Sequence, residues 1–167
     1  MIILVGLMGS GKSILGKQLA SRLSLDLVDL DDYIVSQAGK TIPEIFKDEG
    51  EQAFRALESR LLAEVLAQGD EQIIATGGGA VLSADNRALM KQSGQVIWLG
   101  ASPEILAERI TGDSNRPLLT DVDPLAKMKA LSVERNPLYE EVADLYVDTG
   151  KLSDEESIEK IINFLSD

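Results

Sequence analysis

A chain of 167 residues suits one compact domain with a sizeable core, and its formal charge of -12 speaks against nucleic acid or an acidic membrane surface as a partner. Cysteine and histidine are both absent, which excludes disulfides, thiolate-bound zinc and histidine triads and leaves proton transfer to carboxylates, lysine, tyrosine or water. The opening Met1 to Val5 carries no basic leader, no apolar run approaches a membrane span, and no heptad or large apolar face demands a second copy, so a cytoplasmic monomer is expected.

The first apolar run, Ile2 to Val5, reads as a buried strand that enters Gly6-Leu7-Met8-Gly9-Ser10-Gly11-Lys12-Ser13. Beyond it, Leu15, Leu19 and Leu23 recur every four residues, the stripe of an amphipathic helix. Gly6, four residues, then Gly11-Lys12-Ser13 is the P-loop spacing, here with the strand before and helix after that the motif requires. Gly9, Ser10 and Gly11 let the backbone curl its N–H groups onto a phosphate at the helix N-terminus, with Ile14 in the same first turn. Lys12 then reaches the outer phosphates of ATP, and the Ser13 hydroxyl coordinates magnesium. A chance glycine-rich turn is the alternative, and the context argues against it.

A second strand, Leu25 to Val28, delivers Asp29-Leu30-Asp31 to the carboxyl edge of the sheet. In extended chain both carboxylates face one side, one toward a magnesium shell and the other toward an acceptor hydroxyl. The spacing equally allows Asp29, Asp31 or Asp32 simply to cap the next helix. Glu51 to Ala67 is an amphipathic helix with Phe54, Leu57, Leu61, Leu62, Val65 and Leu66 on one face, and Arg55 in it reads locally as an exposed salt bridge with Glu51 or Glu58. The strand at Gln72 to Thr76 breaks into Gly77-Gly78-Gly79, which serves either close approach to a ligand or a turn with positive φ. Ser83 or Asp85 caps a following helix, Gln95 to Leu99 is a strand, and Ser102-Pro103-Glu104 starts another helix. Thr111 to Pro124 is a long loop suited to a lid, with Arg116 in its middle, and Leu145 to Asp148 is the last strand. Locally, Arg109, Arg116 and Arg135 all have solvent-facing readings. Strands alternating with helices predict an α/β fold, a three-layer α/β/α arrangement around a five-stranded parallel sheet.

Taken together the motifs resemble the shikimate kinase family, within the P-loop kinases. The resemblance rests on the P-loop, Val28-Asp29-Leu30-Asp31, Ile42 to Phe46 leading to Glu49-Gly50-Glu51 and Phe54-Arg55, Ala75 to Val81, Arg116-Pro117-Leu118-Leu119, Arg135 to Tyr139, and Val147-Asp148-Thr149. It implies transfer of the γ-phosphate of Mg-ATP to the 3-hydroxyl of shikimate. It further implies that Asp31 meets the ring hydroxyls, that Arg55 and Arg135 pair with the carboxylate beside the Gly77 to Gly79 backbone, and that Asp29 and Ser13 serve the metal. Lys12 and Arg116 would act on the phosphates, Arg109 would lie near the nucleotide, and Glu58 would hold Arg55 and bound water. Asp32 reads as a helix cap. A kinase for another small molecule, or a nucleotide-binding scaffold without catalysis, are the rival readings.

Overall fold

The structure, a computed structural model, describes residues 1–69, 71–111 and 123–167. Strand β1 (Ile2–Val5) holds the centre of the sheet, and its composition explains why: four branched apolar residues, all buried, can serve only a strand covered on both faces. β3 (Gln72–Ala75) pairs with it on one side and β4 (Gln95–Gly100) on the other, while β2 (Asp26–Asp29) and β5 (Leu145–Asp148) form the edges. The order is β2-β3-β1-β4-β5 and every pairing is parallel, as expected. Strand bounds differ from the sequence reading by a residue at most, the usual uncertainty at element ends.

Alternate residues of each strand feed opposite cores. Ile3, Val5, Ile74 and Val96 pack under α2 (Leu30–Ala38), α3 (Ile42–Glu49), α4 (Glu51–Ala67), α5 (Ala84–Ser93), α6 (Pro103–Ile110) and α7 (Pro124–Val142). Ile2, Leu4, Ile73, Ile97, Leu99 and Val147 pack under α1 (Lys12–Leu23) and α8 (Asp154–Ser166). Three layers result. Ser83, not Asp85, caps α5 by accepting from the Asn86 N–H, and Ser102 caps α6 with Pro103 in its first turn. The sequence pattern did not mark α3 or α8, yet both begin with capping boxes, Thr41 with Glu44 and Ser153 with Glu156.

Because all strands run the same way, the segments after them gather at one edge of the sheet. That edge holds the P-loop after β1, Asp29 and Asp31 at the β2–α2 junction, Gly77 to Gly79 after β3, and Thr149 after β5. The chain passes from β3 across β1 to β4, so the crevice lies where the strand order reverses.

Candidate active site

The P-loop takes its path from three glycines with positive φ: Gly6 at 148°, Gly9 at 80° and Gly11 at 102°. Gly6 also packs so closely on the Leu99 carbonyl that a Cβ there would collide with backbone. Gly11 is the left-handed N-cap of α1 and offers no side chain to the first-turn N–H groups, which leaves them for an anion. Lys12 Nζ donates to the carbonyls of Gly6 at 2.7 Å and Leu7 at 3.0 Å, which tethers the ammonium over the loop. Arg109 braces the same loop: Nη1 donates to Gly9 O at 3.0 Å and to Thr149 Oγ1 at 3.1 Å, and Thr149 Oγ1 in turn donates to Ser10 O at 2.9 Å. Ile14 is 61% exposed at the cavity rim, and Asp154, which sequence reasoning missed, lines the cavity from the start of α8.

Ser13 Oγ donates to Asp29 Oδ2 at 2.8 Å, and Asp29 Oδ1 accepts from the N–H groups of Asp31 at 3.0 Å and Asp32 at 3.3 Å. Capping and facing Ser13 are therefore not rivals, since one Asp29 oxygen does each. The cap is Asp29 rather than Asp32, because β2 runs one residue further than expected and α2 starts at Leu30. For the same reason Asp29 and Asp31 do not share one extended strand; Asp31 sits in the first helical turn and lines the cavity beside Gly77. The Ser13 hydroxyl and Asp29 carboxylate are hard oxygen donors at the mouth of an anion cradle. That set fits a magnesium ion, which takes few protein ligands and completes its shell with water and phosphate.

The other half of the cavity is built by α4, the β3 exit and α7. None of Gly77, Gly78 and Gly79 has positive φ, so a left-handed turn is not what they serve. For Gly77 and Gly79 the role is close approach. A Cβ on Gly77 would stand 2.9 Å from Glu58 Oε2 and 3.0 Å from Asp31 Oδ1, and one on Gly79 would enter the Arg55 guanidinium. Arg55 Nη1 donates to Glu58 Oε1 at 2.9 Å, Nη2 lies 3.6 Å from Glu51, and the guanidinium stands 5.1 Å over the Phe54 ring. The local salt-bridge reading of Arg55 thus holds, but its main partner is 1% exposed and the pair lines the cavity. Burial pushes the Glu58 carboxyl above its ordinary range, opposed by the charge and hydrogen bond of Arg55 and reinforced by Asp31.

Arg135 departs furthest from its local reading. It is 4% exposed, on the inward face of α7, and lines the cavity. The Nε atoms of Arg55 and Arg135 are buried with no hydrogen-bond partner among the described residues. A buried N–H left unmet costs roughly 1–3 kcal/mol, and a carboxylate is the group that meets two such forks. Arg116 and the expected lid lie outside the described residues, apart from the ends Thr111 and Asp123–Pro124.

One continuous cavity of about 590 Å³ runs from the P-loop to Arg55 and Arg135. It joins an anion cradle to a pocket with two guanidiniums, two carboxylates and an aromatic wall of Phe46 and Phe54, whose ring centres are 4.9 Å apart.

Known proteins match the chain over nearly its whole length. The shikimate kinase family model matches residues 8–166. A shikimate kinase of Symbiobacterium thermophilum is 44% identical over 168 residues, covering 99% of this chain and 96% of its own. One from Bordetella pertussis is 48% identical over 151 residues, 90% of this chain and 71% of its own. Among solved structures, the shikimate kinase of Acinetobacter baumannii in complex with shikimate aligns with a TM-score of 0.94 at 39% identity, covering 99% of this chain and 92% of that one. The Aquifex aeolicus enzyme gives 0.85 at 33%, covering 99% and 95%. A P-loop cradle joined to a two-arginine pocket, on a five-stranded parallel sheet, with this breadth of likeness, means that the chain belongs to the shikimate kinase family, ATP-dependent phosphotransferases acting on shikimate.

Proposed function

We propose that this site moves the γ-phosphoryl group of ATP onto the 3-hydroxyl of shikimate by in-line attack. The hydroxyl oxygen bonds to the γ-phosphorus as the bond to the β–γ bridging oxygen breaks, and ADP leaves. The reading is carried by one observation: the P-loop and the Arg55–Arg135 pocket open into the same cavity. Such a cavity lets a hydroxyl and a γ-phosphate meet without solvent between them.

Each residue then has a definite task. The guanidiniums of Arg55 and Arg135, with backbone N–H groups of Gly77 to Gly79, clasp the carboxylate and fix the ring. Asp31 holds the ring hydroxyls and, in a chain without histidine, is the best-placed acceptor for the proton released on attack. Lys12 and the N–H groups of Gly9, Ser10, Gly11, Ser13 and Ile14 gather charge on the phosphates, and Arg109 keeps the nucleotide side of the loop rigid. Arg116, from a lid spanning about 111–124, closes over the transferring group. Ser13 and Asp29 would hold Mg2+, which when bound supplies positive charge to the outer phosphates. The working unit is one domain, 1–167, acting as a monomer in the cytoplasm; among the described residues no helix is long and apolar enough to cross a membrane.

ADP release measured with shikimate, gluconate and a nucleoside monophosphate in turn tests the acceptor. Turnover with shikimate alone is expected, and turnover with another acceptor but not shikimate overturns the reading. Asp29→Asn should raise the Mg2+ concentration needed for half-maximal rate while leaving calorimetric shikimate affinity unchanged; an unchanged Mg2+ requirement removes Asp29 from the metal shell.

A further inference from the structure

Tyr139 is among the largest fully buried side chains, 0% exposed, and its ring packs 5.9 Å from that of Trp98. A phenol hydroxyl that deep must find partners, and the ones it finds belong to the acceptor half of the cavity. The hydroxyl donates to the Gly78 carbonyl at 2.5 Å, across 61 residues of sequence. It lies one helical turn beyond Arg135 on α7, close enough for the guanidinium charge to act on it. The same guanidinium places Nη1 only 3.5 Å from where a Cβ on Gly78 would stand.

We infer that Tyr139 is a positioning residue for shikimate, its hydroxyl bolting the Gly77 to Gly79 turn to Arg135 so that both halves of the carboxylate receptor are set before the ligand arrives. The inference rests on the reading of Arg135 as a carboxylate partner. A neutral phenol has one proton and spare lone pairs. With the proton committed to Gly78 O, the lone pairs are what the hydroxyl turns toward Arg135. The Arg135 Nε, which has no protein partner among the described residues, is left to the ligand. Burial pushes the Tyr139 pKa upward, against the pull of Arg135, so the hydroxyl keeps its proton and its donor role throughout the physiological range. Phenylalanine at this position keeps the ring packing but strands a buried carbonyl and frees the guanidinium to turn. Both losses fall on Gly78 and Arg135, which line the cavity with Arg55 and Asp31.

The test compares Tyr139→Phe with Arg135→Ala, using shikimate and its methyl ester as acceptors. Tyr139→Phe should raise the shikimate KM about tenfold, the scale of one buried hydrogen bond lost, with kcat and the ATP KM unchanged. With the ester, which lacks the anionic carboxylate, the variant and the parent should give the same KM. In a double-mutant cycle the two changes should be clearly less than additive. If Arg135→Ala raises the shikimate KM and Tyr139→Phe does not, the positioning role is wrong and the carboxylate reading stands; if Arg135→Ala leaves it unmoved, the carboxylate reading itself fails. Independently of any variant, the unaltered chain labelled with fluorotyrosine at its three tyrosines should show the buried resonance moving on shikimate addition and not on ester addition. A resonance indifferent to shikimate, or one that moves equally with the ester, overturns the inference.

Discussion

Gly79→Ala isolates the acceptor pocket from the rest of the fold. Gly79 has φ -93° and ψ 1°, outside the left-handed region, so alanine meets no backbone strain there. The added methyl would instead lie 2.5 Å from Arg55 Nη2 and closer still to Nη1, where ordinary contact begins at 3.4 Å. The guanidinium must withdraw by about 1 Å, and it can, because it ends a flexible side chain; a misplacement of that size costs up to about 100-fold in rate when it moves a substrate clamp. We expect kcat/KM for shikimate to fall between about 10- and 100-fold, bounded below by one charge-assisted hydrogen bond of roughly 1.5 kcal/mol. The ATP KM should not move, because the atoms nearest the added methyl all belong to Arg55 and none to the P-loop. The melting temperature should change little, since the gain of about 0.4–1 kcal/mol from Gly→Ala through the unfolded chain is offset by the loosened Arg55–Glu58 pair. A coupled ADP assay with each substrate varied, alongside a thermal melt, reads all three. Unchanged shikimate kinetics, or an ATP KM rising in step, would refute the reasoning that Gly79 is there to admit Arg55.

Other perturbations probe other parts. Lys12→Met should lower kcat by about 10²- to 10³-fold while calorimetric shikimate affinity is kept, and an equal loss of both would mean that Lys12 holds the fold rather than the phosphates. Thr149→Val removes the hydroxyl between Arg109 and Ser10 O, so the ATP KM should rise severalfold, on the scale of about 1 kcal/mol, with the shikimate KM unchanged. Glu58 has a folded pKa raised above 4.5, chiefly by burial. Its contribution to stability is therefore fullest below that value and is lost as pH rises through the folded pKa. In urea titrations at rising pH, the parent should lose ground to Glu58→Gln; a parent that gains ground instead would show that pairing with Arg55 outweighs burial.

The sequence spoke most clearly where one local pattern had one use. β1 is uniformly apolar because it is covered twice, and the glycine spacing after it has few other purposes, so the centre of the sheet and the phosphate cradle were legible together. The acceptor half was not legible from spacing alone. Arg135 looks solvated beside Glu134 and near a proline, yet α7 runs unbroken through Pro137 and turns Arg135 inward, a tertiary choice that i,i+4 patterns do not encode. Glu58 likewise follows three residues after Arg55 as any surface pair does, and only the packing of α4 against the β3 exit buries it. Those residues were reached through resemblance, in which several weak motifs in order replace one strong one. Asp32 was misread as the cap because a one-residue extension of β2 passes that task to Asp29. Tyr139 carried a signal in its spacing from Arg135, but a buried tyrosine on a helix is by default core, and only its bond to Gly78 O marks it otherwise.

The most direct measurement follows phosphorus itself. Phosphorus NMR of the chain with ATP, Mg2+ and shikimate should show ADP and a phosphate monoester growing in equal amounts, with proton coupling placing the ester on the ring carbon bearing the 3-hydroxyl. Inorganic phosphate in place of the ester, or an ester at another hydroxyl, would contradict the account of a cavity that brings that one oxygen in line with the γ-phosphate.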